Sequence, residues 1–167
     1  GVGGHGSAGG TCRRGVQVNL IAWEHDRTGA RAGEGGAALV SKDDLLARSD
    51  VVSIHLVLSD RTRKLVGARE LSQMKKTAYL INTSRGPIVD EAALVAALRQ
   101  GTIAGAGLDV YDEEPLPLAH PLRNLPNTVI TPHLGYVTEE GYRIFYGHAW
   151  EDVKAWLAGQ PVRVLKP

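Results

Sequence analysis

Short apolar runs alternate along this chain with stretches of helical spacing. Val18 to Trp23, Val51 to Leu56, Ala78 to Asn82, Ile103 to Val110 and Thr128 to Thr131 have strand length and are bounded by turn residues. Between them the marks are helical. Ser41 stands before Lys42-Asp43-Asp44-Leu45-Leu46, where its hydroxyl can cap a short helix with two acids in the first turn. Leu71 to Met74 suits a second short helix. The segment DEAALVAALRQG, from Asp90, starts acidic, places Leu94, Val95 and Leu98 on one face and stops at Gly101. Glu139 to Ala158 spaces Tyr142, Phe145, Tyr146, Ala149, Val153, Trp156 and Leu157 near the helical repeat, which predicts an amphipathic helix with a large aromatic face. Strands alternating with helices predict βαβ units, hence an α/β fold on a doubly wound parallel sheet. The sheet domain is predicted over residues 1–138, and residues 139–167 form the terminal helix and tail.

Composition narrows the partners more than the fold. The chain has 167 residues, 43% of them apolar, enough for one cored domain. Its 19 basic and 18 acidic residues are scattered and leave a formal charge of +1, which offers no electrostatic footprint for nucleic acid or an anionic membrane. Small molecules are the expected partners. The single Cys12 excludes an internal disulfide, no cysteine and histidine cluster has zinc spacing, so no metal is expected, and no apolar run has the length to span a bilayer. With no charged and apolar leader pattern either, a cytoplasmic location is expected.

In an open parallel sheet, ligands sit beyond the carboxyl ends of the strands, and polar residues of this chain gather there. Gly1, Gly3 and Gly6 have the G-x-G-x-x-G spacing, with Gly4 and His5 in the same loop, which lets backbone amides approach a pyrophosphate at a helix N-terminus. Glu24 follows a strand about 20 residues later, where an acid accepts from adenosine ribose hydroxyls. The glycine pattern alone is a weak signal, because glycines also stand at 9, 10 and 15 and each costs a helix about 1 kcal/mol relative to alanine. Further on, Thr83, Ser84 and Arg85 follow a strand in NTSRGP, Asp109 lies in GLDV, Glu114 precedes a proline in DEEPLP, and His133 follows one in TPHLG. A guanidinium can grip a carboxylate and polarise a carbonyl, and an acid with an imidazole can manage a proton.

Taken singly, each has a plainer reading. Arg85 could make a surface ion pair, Asp109 and Glu114 could be turn residues, and His133 a core or turn histidine. Their joint occurrence points to a site. His25, His120 and His148 have no such company and are read as solvated or structural, while His55 ends a strand near where an adenosine could lie. The stripe Phe145, Ala149, Val153 and Trp156 is core or interface, and Arg61, Arg63 and Lys64 are a solvated face.

From Ser41 onward, the blocks SDVVSIHLVLSDRTRKLVG, YLINTSRGPIVDEAAL, GAGLDVYDEEPLP and NTVITPHLGYVTEE closely resemble the C-terminal part of the D-isomer-specific 2-hydroxyacid dehydrogenases. Before Ser41 only a skeleton is similar: Gly1, Gly3, Gly6, Ala22-Trp23 and Glu24. The resemblance implies a Rossmann-type fold and NAD-dependent interconversion of D-2-hydroxy acids and 2-oxo acids of the hydroxypyruvate, glyoxylate or phosphoglycerate type. It implies His133 as general acid and base, Glu114 as its hydrogen-bond partner, and Arg85 on the substrate carboxylate and carbonyl. Asp109 would bind the nicotinamide amide, Thr83 and Ser84 would line the cofactor, and the residues after His133, Gly135 among them, would face the nicotinamide. Glu24 favours NAD, while nearby His25 and Arg27 keep NADP as the weaker alternative. The acid at Glu114 argues against the formate dehydrogenase branch, which carries glutamine there.

The resemblance also implies absences. Relatives have an upstream substrate domain and a first strand leading into the glycine loop, so a chain truncated at its N-terminus is expected. In a sheet ordered 3-2-1-4-5-6, that leaves a gap between strands 2 and 4. It also leaves the aromatic face of the last helix for water or for a partner, such as a second copy in a homodimer. The isolated chain is expected to be catalytically inactive. A non-enzymatic NAD-binding module of corepressor type and a truncated reading frame without function are the alternatives, and the joint retention of Arg85, Glu114 and His133 favours enzyme ancestry.

Overall fold

A computed structural model describes residues 18–23 and 37–165. In chain order they form β1 (Ile21–Ala22), β2 (Ala38–Leu39), α1 (Lys42–Arg48), β3 (Val51–Ile54), α2 (Ala68–Gln73), β4 (Tyr79–Asn82), α3 (Glu91–Gln100), β5 (Gly105–Leu108), β6 (Thr128–Ile130) and α4 (Glu139–Leu157). Every strand pairing among them is parallel, so the predicted α/β class holds. The pairings fall into two sets, β1–β2 and β3–β4–β5–β6. Among the described residues β3 pairs with β4 alone. Strand β2 was not foreseen, because two residues beside a glycine-rich stretch carry no readable period.

The four-stranded sheet positions the site. In register, Val52, Leu80 and Ala106 lie side by side, and Ile54, Asn82 and Leu108 form the next row but one. These rows face inward, where the apolar members join Leu46, Leu71, Leu94 and Leu98 in one core. The alternating residues Val51, Tyr79 and Val129 are exposed, as the twofold period of a strand requires. The helices that carry the core are fastened at their ends. Ser41 Oγ accepts the Asp44 amide at 3.0 Å, and the Asp90 carboxylate accepts the Ala93 amide at 3.1 Å. Helix α3 ends on Gly101 at φ 65°, a left-handed conformation that suits glycine because it has no Cβ. Helix α2 starts earlier than its apolar residues suggest, since the Glu70 carboxylate accepts the Gly67 amide at 3.1 Å and anchors the first turn.

The chain divides into two compact units, Gly1–His133 and Leu134–Pro167. The second is built on α4, whose start is capped by Thr138 Oγ1 accepting the Gly141 amide at 3.0 Å. Of the predicted aromatic face, Tyr142, Phe145, Tyr146 and Trp156 are all exposed, and Tyr142 stacks on Tyr146 at 5.6 Å between ring centroids. Among the described residues, no helix is long and apolar enough to cross a membrane.

Candidate active site

Asn82, the last residue of β4, is 1% exposed and organises the turn that follows. Its Oδ1 accepts the Ser84 amide at 3.0 Å and its Nδ2 donates to the Arg85 carbonyl at 3.0 Å. A buried amide whose donor and acceptor are both used is rigid, so Thr83 and Arg85 are held out to solvent at the carboxyl end of the strand. Ser84 Oγ donates to the Ile54 carbonyl at 2.8 Å and ties this turn to the end of β3. Arg85 Nη1 donates to the Ser84 carbonyl at 2.7 Å.

The neighbouring strand ends supply the rest. The Asp109 amide, just after β5, donates to the Asn82 carbonyl at 3.0 Å, and its side chain is buried. The Thr131 hydroxyl, just after β6, donates to Asp109 Oδ1. Glu114 lies five residues beyond Asp109, and its Oε1 accepts the Tyr111 amide at 2.9 Å. His133 Nδ1 is 2.7 Å from Glu114 Oε2. The two side chains are 34% and 35% exposed, open enough for a small molecule to reach and sheltered enough for the bond to persist. His133 has φ 57°, a left-handed conformation uncommon for a residue with a Cβ, and its ring is held there by Glu114.

The electrostatics of the pair follow from these contacts. Partial burial pushes the Glu114 carboxyl upward, but hydrogen bonds from His133 and the Tyr111 amide, with the charges of His133 and Arg85, outweigh it and hold the group below its ordinary value. Glu114 is therefore a carboxylate acceptor, and the hydrogen between the two groups sits on His133 Nδ1. In the neutral ring Nε2 is then the acceptor nitrogen. Stability is coupled to pH with a definite sign. A lowered carboxyl contributes stability that is fully present above its unfolded value, and that contribution is lost as pH falls through the folded value. Glu70 and Asp90 are lowered in the same way, whereas burial and the Glu91 charge raise Asp112, which acts in the opposite sense. The urea midpoint is expected to fall as pH drops below 4.5, the ordinary glutamate value. Glu114→Gln should flatten part of that fall, and an unchanged profile in this variant would contradict the assignment.

Of the residues singled out in the sequence, Glu114 and His133 meet directly, Arg85 acts on Glu114 through its charge, and Asp109 receives the hydroxyl of Thr131, two residues before His133. Thr83 and Ser84 lie on the same edge. Gly135 belongs to the second unit, and Gly1, Gly3, Gly4, His5, Gly6 and Glu24 lie outside the described residues, as do His25 and Arg27. His120 has a structural place: its Nδ1 accepts the Leu122 amide at 3.3 Å and its Nε2 is 3.0 Å from Glu91. Sequence reasoning overlooked Asn82, Gly86, Tyr111 and Thr131. A polar residue closing the apolar run YLIN was the available signal for Asn82. Among the described residues, no group of three or more His, Cys, Asp or Glu side chains could hold a metal ion.

Comparison with known proteins places this geometry. Residues 1–135 match the sequence family described as D-isomer specific 2-hydroxyacid dehydrogenase, NAD binding domain. A glyoxylate reductase of Aeropyrum pernix is 50% identical over 125 residues, covering 75% of this chain and 37% of that protein. Among solved structures, a Ralstonia solanacearum oxidoreductase of D-3-phosphoglycerate dehydrogenase type superposes over 100% of this chain and 49% of its own, with TM-score 0.93 and 36% identity. The NAD-complexed D-isomer specific 2-hydroxyacid dehydrogenase of Lactobacillus delbrueckii has TM-score 0.82 and 32% identity, over 100% of this chain and 54% of its own. The chain thus spans about half or less of the length of the relatives it matches.

Proposed function

Because the chain belongs to the D-isomer specific 2-hydroxyacid dehydrogenases, we propose that it provides the NAD-binding part of an oxidoreductase site that reduces small 2-oxo acids to D-2-hydroxy acids. Glyoxylate and hydroxypyruvate are the favoured substrates, in line with the names of its relatives. The observation that carries the reading is the 2.7 Å bond between His133 Nδ1 and Glu114 Oε2 at the carboxyl edge of a parallel sheet, beside Arg85.

The residues fit a nicotinamide cofactor in kind. Buried Asp109, oriented by Thr131, is an acceptor suited to a carboxamide N–H, and Thr83 and Ser84 lie on the same edge. The glycine loop Gly1 to Gly6 would take the pyrophosphate, and Glu24 the adenosine ribose. When bound in its reduced form, NADH would supply the hydride to the carbonyl carbon and leave as NAD. His133 delivers a proton from Nε2 to the carbonyl oxygen, Glu114 stabilises the imidazolium beforehand, and Arg85 holds the carboxylate and polarises the carbonyl. A cytoplasmic location and assembly as a homodimer complete the proposal.

The test is a titration of the purified chain with NADH, following fluorescence and thermal unfolding together. A saturable signal with a rise in unfolding temperature is expected, because a ligand that binds only the folded state stabilises it. Absence of both would overturn the cofactor assignment. Turnover of glyoxylate by these 167 residues alone is expected to remain at background, since the relatives carry further sequence. Turnover that His133→Ala abolishes would show that they suffice.

A further inference from the structure

We propose that Tyr111 is a positioning residue of this site, holding the Arg85, Glu114 and His133 segments in a single arrangement and acting on proton transfer through Glu114 and His133. The inference rests on reading that pair as the proton relay.

Three contacts carry it, one to each segment. The Tyr111 amide donates to Glu114 Oε1 at 2.9 Å, so the backbone of this residue fixes the carboxylate. Its phenolic oxygen is 2.8 Å from the Thr131 carbonyl and 3.0 Å from the Leu108 carbonyl. Leu108 O also accepts the Thr131 amide at 2.9 Å, so the hydroxyl closes the last rung between β5 and β6, two residues before His133. Only Pro132 stands between Thr131 and His133, and its ring leaves the backbone little freedom there. Finally, the Tyr111 backbone lies against Gly86, the neighbour of Arg85, so closely that a Cβ there would stand 2.0 Å from its carbonyl carbon and oxygen.

The ring is 5% exposed and part of the core, which prevents it from swinging away. Packing requires the ring, and a phenylalanine would fill the same space. The hydroxyl is what the two strand-end carbonyls use. Burial, with the nearby Asp109 charge, raises the phenol above its ordinary value, so it remains a donor across the physiological range. The consequence is chemical. Which imidazole nitrogen carries the proton is decided by the partner of the other, so a carboxylate and a histidine backbone held in fixed relation select the Nδ1–H tautomer that presents Nε2 to a substrate.

The tautomer is the readout, because a purely structural role would leave it alone. Imidazole ¹⁵N shifts are recorded on the labelled chain at about pH 8.5, above the ordinary histidine range. The His133 signals are assigned among the six histidines by their loss in His133→Gln. In the wild type, Nδ1 is expected at the protonated position and Nε2 at the unprotonated one. Glu114→Ala should move both toward the opposite tautomer. If it does not, the relay reading fails and this inference falls with it. Tyr111→Phe, folded by its amide dispersion, is expected to move both shifts part of the way toward the Glu114→Ala values. If Glu114→Ala moves them and Tyr111→Phe does not, whether or not the unfolding temperature drops, the relay stands and Tyr111 is only a core residue.

Discussion

Gly86→Ala is expected to lower the unfolding free energy by about 3 kcal/mol or more, enough to bring a domain of ordinary stability close to unfolding. The added methyl carbon would stand 2.0 Å from the Tyr111 carbonyl carbon and oxygen and 2.6 Å from its Cα. All of these are backbone atoms, so no flexible side chain can give way. Tyr111 cannot retreat, because its ring is in the core and its hydroxyl is bonded to the ends of β5 and β6. The turn cannot retreat either, because Ile88, two residues on, is fully buried and Asn82 clamps the Arg85 carbonyl. Urea denaturation of the variant beside the wild type measures the difference. A loss within about 1 kcal/mol would mean that the two segments separate more easily than their contacts imply.

Asp109→Asn is expected to weaken NADH binding roughly 10- to 100-fold, the range for losing one hydrogen bond to a charged acceptor. Asp109 is 4% exposed, its amide is bonded to Asn82 and its Oδ1 receives the Thr131 hydroxyl, so its position is set before any ligand arrives. Asparagine keeps the shape but can turn an NH₂ toward a carboxamide N–H, replacing an acceptor with a donor. Fluorescence titration at fixed salt gives the two dissociation constants, and thermal unfolding without ligand separates the binding effect from any change in stability. A constant within about threefold of the wild type would remove Asp109 from the nicotinamide contact.

The parts of the fold that were readable in advance are those with local causes. Ser41, Asp90 and Gly101 mark helix ends through bonds and backbone angles that span a single turn, and all three occur where the sequence places them. The alternating strands of β3 and β4 show their inward and outward faces by a period of two. Boundaries were less readable. The run Ile103 to Val110 shortens to Gly105–Leu108, since strand pairing ends where Asp109 and Val110 turn into the site loop. Of the site residues, Arg85, Asp109, Glu114 and His133 stood out because they are polar groups at the ends of apolar runs. Asn82 and Tyr111 lie within or beside such runs and have the look of ordinary strand and core residues.

The sequence by itself determined the α/β class, the helix ends and the placing of the polar residues at the carboxyl ends of the strands, because each depends on residues within a few positions of one another. Only the tertiary structure decided that Glu114 meets His133 across 19 positions, that Thr131 meets Asp109 across 22, and that Tyr111 joins three separate segments. Those contacts depend on the register of β4, β5 and β6, which aligns strand ends far apart in the chain. A register is a property of the packed sheet, where sliding one strand by a single residue would turn every inward side chain outward.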